Sequence, residues 1–96
     1  MEKKTVVSKR FRKNTLKVYD YLMKEYSAKT AFKFLDKLQQ RVELIIQYPE
    51  IGKPSQKKAN IRSVTLQPHN RIYYRIDKNI IELLCLSDMR KKNTPY

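Results

Sequence analysis

The 96-residue sequence has few of the residues that most often carry chemistry: one glycine, one cysteine, one histidine and no tryptophan. A single glycine cannot form a phosphate-cradling loop, and a lone histidine cannot build a metal site. The one cysteine, Cys85, excludes an internal disulfide and suits a reducing compartment. The longest apolar run, residues 80–86, is interrupted by Glu82 and is far too short to cross a membrane. We therefore expect a cytoplasmic protein with no metal, no cofactor and no membrane partner.

Basic residues outnumber acidic residues by 22 to 9, which gives a net charge of +13. Such an excess predicts attraction to polyanions or to a strongly acidic protein. The few acidic residues are dispersed among lysines rather than clustered, which argues against a metal-dependent nuclease. The length allows one domain over residues 1–96, with an adequate but small core.

The first half of the chain predicts two helices. Ser8 is a candidate N-cap for a helix from about residue 10 to 26. Its apolar stripe is Leu16, Tyr19, Met23 and Tyr26, widened by Val18 and Leu22. Ser27 is a candidate N-cap for a helix over residues 28–47, with apolar positions at Ala31, Leu35, Leu38, Val42 and Ile45. The short connection predicts an antiparallel hairpin, whose interface and end are expected to take up Tyr26, Phe32, Phe34 and Tyr48. Pro49 ends the second helix, and residues 49–54 are expected to form an ordered loop.

The remaining segments predict strands, at residues 4–7, 61–66, 71–77 and 80–86. A two-residue turn at Lys78-Asn79 sets the register of the last hairpin. That register pairs Ile76 with Ile81, Tyr74 with Leu83 and Ile72 with Cys85, so these residues form an apolar face for the helices. The fold class predicted is α+β, in the order β-α-α-β-β-β, with a helix hairpin on a small, mainly antiparallel sheet.

The opposite face of this sheet is expected to be cationic and aromatic. Arg71, Tyr73 and Arg75 alternate along one strand, Arg75 lies across from Glu82, and Leu84 and Leu86 share that face. Arginine binds phosphate with two parallel donors, and a tyrosine ring can stack on a base. The simpler interpretation is that these are solvated surface residues of a basic protein.

Several segments together resemble the RelE/ParE superfamily of toxins. They are Val-Tyr-Asp-Tyr-Leu at residues 18–22, Ala-Phe-Lys-Phe-Leu at 31–35, Tyr-Pro-Glu-Ile-Gly-Lys-Pro at 48–54, Arg-Ile-Tyr-Tyr-Arg-Ile at 71–76 and Ile-Glu-Leu-Leu at 81–84. The resemblance spans residues 6–95. It implies a bacterial type II toxin, often described as a plasmid stabilisation protein, in a hetero-oligomer with a cognate antitoxin. That antitoxin is expected to be acidic or amphipathic and to cover the helix-hairpin groove, the basic sheet face or both.

The resemblance implies one of two mechanisms. The ParE branch inhibits DNA gyrase without being an enzyme, and the helix hairpin with the 48–54 loop favours it. The RelE branch cleaves mRNA on the ribosome without a metal, and its catalytic pattern matches Arg71, Arg90 and Tyr96. Expected nucleic-acid or target-binding residues are Arg62, Arg71, Tyr73, Arg75, Arg90, Lys91 and Lys92. The alternative hypothesis from charge alone is a non-toxic nucleic-acid-binding module.

Overall fold

The computed structural model describes residues 3–91 and 93–96. In chain order its elements are β1 (Lys4–Val7), α1 (Lys9–Glu25), α2 (Ala28–Gln47), β2 (Lys53–Pro54), β3 (Ile61–Leu66), β4 (Asn70–Ile76) and β5 (Ile80–Asp88). A single 3-10 turn, Pro49–Ile51, lies between α2 and β2. The predicted α+β class is therefore confirmed. The two-residue β2 lies inside the segment that was expected to be only a loop.

The strands form one sheet in the order β1-β5-β4-β3-β2. The β1–β5 pair is parallel, and the three other pairs are antiparallel. Ser8 joins this sheet to α1, because its backbone N–H donates to Leu83 O at 3.1 Å and its hydroxyl to Leu84 O at 2.7 Å. The same hydroxyl accepts from the Phe11 N–H at 3.0 Å, which confirms Ser8 as the N-cap of α1. Ser27 caps α2 in the same way, through Thr30 N–H at 3.2 Å.

Both helices pack on one face of the sheet, and the main core lies between the two layers. Its buried side chains come from both helices and from the three long strands: Phe11, Phe34, Leu38, Ile45, Leu66, Ile72, Tyr74, Ile81, Leu83 and Leu86. Burying a large apolar side chain contributes roughly 1.5–3 kcal/mol. Of the apolar positions predicted for α2, Ala31, Leu38 and Ile45 are buried.

The predicted stripe of α1 is confirmed only at its widened edge, Val18 and Leu22. The side of α1 that meets the core carries Phe11, with Val18 and Leu22 packed against the core cluster. Leu16, Met23 and Tyr26 are exposed instead. The helix has more apolar residues than one face can hold, and periodicity alone does not say which set the sheet covers.

Only one of the aromatic residues predicted for the helix interface and its end is buried. Phe34 is buried in the core, but Phe32, Tyr48 and Tyr26 are all exposed. Phe32 lies near Tyr19, with ring centroids 6.4 Å apart. The helix hairpin therefore presents large apolar side chains to the surface.

A β-bulge changes the last hairpin. Ile76 pairs with Ile81 and Tyr74 with Leu83, as predicted, but the register then shifts and Tyr73 pairs with Cys85. The predicted Ile72–Cys85 pair is therefore wrong, because a bulge places one extra residue in β5 and reverses the faces beyond it. Ile72 pairs with Leu86, and Leu86 lies in the main core rather than on the outward face.

The Tyr74 hydroxyl fastens the end of α2 to the sheet. It donates to Pro49 O at 2.7 Å and accepts from Gly52 N–H at 2.9 Å. Burial is the main cause that raises the pKa of Tyr74. Gly52 has an ordinary extended backbone, with φ −73°, so its requirement is space rather than conformational freedom. A Cβ placed there would lie 2.5 Å from the Tyr74 hydroxyl oxygen and 3.0 Å from Arg62 Cβ.

We predict that Gly52→Ala lowers the free energy of unfolding by about 1–3 kcal/mol, because a buried site without spare room must shift to admit a methyl group. Tyr74→Phe is expected to cost about 1–3 kcal/mol by leaving the Gly52 N–H without its acceptor. The double variant should be less destabilised than the sum, since the second change removes the closest clash. Urea unfolding monitored by circular dichroism measures all three, with the exposed neighbour Lys53→Ala as control. Additive losses would contradict the steric coupling.

Candidate functional site

The outward face of the sheet carries the residues that the sequence placed there. Tyr73 lies opposite Ser63 on β3, and Arg71 opposite Thr65, on the face away from the helices. Tyr73, however, is only 4% exposed. It belongs to a second, smaller apolar cluster with Ile61 and Cys85, against which Leu84 and Tyr96 pack. The expectation that the Tyr73 ring is free to stack on a base is therefore wrong, because the end of the chain covers it.

Tyr96 lies over Tyr73 with the ring centroids 5.6 Å apart and the ring planes tilted by 48°. Cys85 lies beneath this layer and is buried, which corrects its predicted place in the core under the helices. Burial raises the pKa of the Cys85 thiol. A buried thiol with a raised pKa is a packing residue rather than a nucleophile.

The two arginines of β4 have different surroundings. Arg75 pairs with Glu82 at 2.5 Å, which confirms the predicted cross-strand ion pair. Such a partly exposed pair contributes about 0–1 kcal/mol. Arg71 is partly exposed, and no carboxylate pairs with it within the described part of the chain. Arg71 is therefore the better placed of the two to bind an external anion.

The direction of Arg62, which the sequence left open, is toward the helix side of the sheet. It pairs with Tyr74 across β3 and β4. Its guanidinium donates to Glu50 O at 3.1 Å and to Gly52 O at 2.7 Å. These bonds hold the loop after α2 in place, so the arginine fork is committed to the protein's own backbone.

Arg90 lies beyond the end of β5 and forms a forked ion pair with Asp88. Its Nε and Nη2 donate to the two carboxylate oxygens at 3.0 Å and 2.8 Å. Hydrogen bonds from Arg90 lower the pKa of Asp88 to about 2, so this carboxylate remains charged at neutral pH. Asp88 in turn raises the pKa of Arg90, and the nearby Tyr21 and Tyr26 add to that effect. Asn14 on α1 accepts a hydrogen bond from Leu86 N–H at 3.1 Å, so α1 runs alongside the strand that leads to this ion pair.

Of the predicted catalytic residues, Arg71 and Tyr96 belong to the outward face of the sheet. Arg90 follows the end of β5, where Asp88 holds its guanidinium. Lys91 is exposed, and Lys92 lies outside the described residues. No group of three histidine, cysteine or acidic side chains suited to a metal ion occurs in residues 3–91 and 93–96. In the same residues, no helix is long and apolar enough to cross a bilayer.

The structure has an open apolar groove, whose lining residues were not identified from the sequence. It has a volume of about 540 Å³ and runs between the end of β1 and the two helices. Its walls are Val7, Phe11, Arg12, Thr15, Leu16, Tyr19, Leu35 and Leu38. Leu16, at 59% exposed, is its most prominent apolar residue. The surplus of apolar positions in α1 was the available signal, since it exceeded what one buried face needs.

Comparison with known proteins agrees with the fold and identifies a matching protein family. Residues 6–92 match the family model of the ParE toxin of type II toxin-antitoxin system, parDE. No curated protein matches the chain significantly.

Solved structures share the fold at low sequence identity. The chromosomal ParDE TA system from P. aeruginosa matches with a TM-score of 0.81 and 16% identity, over 93% of this chain and 98% of that one. The E. coli DinJ-YafQ toxin-antitoxin complex matches with a TM-score of 0.65 and 14% identity, over 92% and 93%. The YoeB dimer from Staphylococcus aureus gives 0.53 and 20%, over 88% and 94%. With nearly the whole chain matched by the family model, this protein belongs to the ParE toxin family of type II toxin–antitoxin systems, within the RelE/ParE superfamily.

Proposed function

We propose that this toxin inhibits DNA gyrase without catalysing a reaction, and that a cognate antitoxin silences it by filling the apolar groove beside α1. The pair would act in the cytoplasm as a hetero-oligomer and serve plasmid stabilisation. The observation that carries the proposal is the open groove on a chain of the ParE family. Two of the structures that share the fold are DinJ-YafQ toxin–antitoxin complexes, which supports a protein partner here.

The groove has the chemistry of a site for an amphipathic segment. Its lining is almost wholly apolar, with Leu16, Leu35 and Leu38 from the two helices and Arg12 among them. An amphipathic helix binds such a groove through side chains spaced one helical turn apart. The net charge of +13 favours an acidic partner and accelerates its association. An acidic antitoxin segment that folds on binding fits both properties.

Support for gyrase comes from the family and from the contacts that the RelE-like residues already make. Cleavage of RNA through its 2′-hydroxyl needs a base, an acid and a cation aimed at one phosphate. Tyr96 is engaged with Tyr73, and Arg90 with Asp88. These contacts favour inhibition by binding over acid–base catalysis. Arg71, without an ion-pair partner in the described residues, is the residue we expect to contact the target.

One prediction of this proposal concerns the groove. Leu16→Asp should leave the toxin active while weakening antitoxin binding at least tenfold, because interface residues in apolar pockets carry about 1–2 kcal/mol or more each. Cells that express the variant with the neighbouring antitoxin gene should then stop growing, whereas cells with the unmodified pair should grow. Isothermal titration calorimetry on the purified proteins gives the affinity.

Ile51→Asp is the matched control, since it places the same charge on an exposed apolar position, 45% exposed, outside the groove. Equal weakening by both variants would contradict groove binding. Normal growth of cells that make the intact, soluble chain alone would contradict toxicity and support the non-toxic nucleic-acid-binding module.

Another prediction of this proposal concerns the target. Adding the purified chain to gyrase, plasmid and ATP should accumulate cleaved DNA, and Arg71→Ala should reduce this effect about tenfold, in the range for a central arginine of an interface. Lys29→Ala, an exposed position at the start of α2, removes the same charge elsewhere and should have little effect.

The RelE-like mechanism gives a different result. Ribosome-bound mRNA would be cut, and both Arg71→Ala and Arg90→Ala would abolish the cuts. Primer extension on mRNA from intoxicated cells separates the two mechanisms. Cuts that depend on these arginines, with gyrase unaffected, would replace our proposal.

A further inference from the structure

Two tyrosines form an exposed aromatic pair at the end of α1. Tyr21 is 55% exposed and Tyr26 is 65% exposed. Their ring centroids lie 6.1 Å apart, with the planes at 65°, so one ring meets the edge of the other. This arrangement holds both rings in place and leaves much of their surface in solvent. Neither ring contributes to the two apolar clusters of the fold.

A cation follows the strand that runs alongside α1. Asn14 on α1 accepts a hydrogen bond from Leu86 N–H at 3.1 Å, so the helix follows β5 toward the residues after the strand. Tyr21 comes seven residues after Asn14, about two helical turns, and so lies on the same side of α1, along the path that leads from β5 to Arg90. Asp88 binds Nε and Nη2 of Arg90, and its Nη1 makes no hydrogen bond within residues 3–91 and 93–96. The remaining guanidinium edge is therefore free to bind an external acceptor.

The aromatic rings of this corner are more exposed than those that line the groove. In the groove Phe11 is buried and Tyr19 is partly buried, whereas Tyr21 and Tyr26 are both more than half exposed. The corner combines aromatic faces with a guanidinium, which is the combination that binds a base together with its phosphate. The net charge of +13 attracts the polyanion that carries both groups.

We propose that Tyr21, Tyr26 and Arg90 form a binding site for single-stranded nucleic acid. A base stacks on an exposed tyrosine face, and the adjoining phosphate accepts a hydrogen bond from the free edge of Arg90. The stacking expected from Tyr73 is thus provided at a different end of the molecule. Asp88 orients the guanidinium and offsets part of its charge, so stacking must supply most of the selectivity. This proposal is independent of the proposed toxicity, because nucleic-acid binding is measured on the purified chain.

The test is fluorescence anisotropy on the purified full chain with labelled oligomers of about 12 nucleotides, a length within the range that such sites occupy. Oligo(U), oligo(dT) and an abasic oligomer with the same number of phosphates are compared. The double variant Y21L/Y26L should bind oligo(U) or oligo(dT) about tenfold more weakly, because stacking contributes roughly 1–3 kcal/mol per base. Its binding to the abasic oligomer should be unchanged. A preference for either sugar supports the site and identifies the source of the strand.

Tyr48→Leu is the matched control, since Tyr48 is 58% exposed and caps the far helix, α2. Y21F/Y26F keeps both rings and should bind like the unmodified chain, which separates stacking from loss of fold. Equal weakening by Tyr48→Leu, unchanged binding of Y21L/Y26L, or equal affinity of the unmodified chain for abasic and natural oligomers would each overturn the proposal. Tight binding of polyglutamate that Y21L/Y26L weakens tenfold would instead assign the corner to an acidic protein.

Discussion

The β-bulge between the two long strands decides which residues each side of the molecule presents. Before it, Tyr74 and Leu83 are paired toward the helices, and beyond it one extra residue in β5 reverses the alternation. Leu86 consequently enters the main core, and Cys85 turns away from it. Asp88 follows Leu86 by two residues and lies on the same side. Without this irregularity, Asp88, which holds the Arg90 guanidinium, would lie on the opposite face of the sheet.

The same reversal separates two surfaces. On the outward face, Tyr73 turns into a small apolar cluster that Tyr96 closes. Tyr21 and Tyr26 at the end of α1, and the Arg90 guanidinium after β5, remain exposed to solvent. The groove beside β1 is a third surface, mostly apolar, with Arg12 and Tyr19 in its walls. Separate surfaces allow a toxin to bind two partners of different chemistry, because the residues that suit one partner need not suit the other.

The arginines illustrate why residue type is a poor guide to role in so basic a chain. Arg62 binds backbone carbonyls of the loop after α2, and Arg75 binds Glu82. Arg90 is held in a fork by Asp88, whereas Arg71 has no carboxylate partner among the described residues. The sequence made all four arginines candidates for binding a nucleic acid or the target. Their surroundings, rather than their charge, separate structural from available guanidinium groups.

The sequence by itself determined the element order, both N-caps, the bounds of α2, and the register of the last hairpin near its turn. These features depend on local spacing and on side chains that act within a few residues, as Ser8, Ser27 and Pro49 do. It also placed Arg71 and Tyr73 on the outward face, because strand alternation is local. Tertiary structure alone decided which apolar stripe of α1 meets the sheet, where β5 gains its extra residue, and that Tyr96 covers Tyr73. Those outcomes depend on packing between segments far apart in the chain, for which periodicity gives the spacing of side chains but not the surface that covers them.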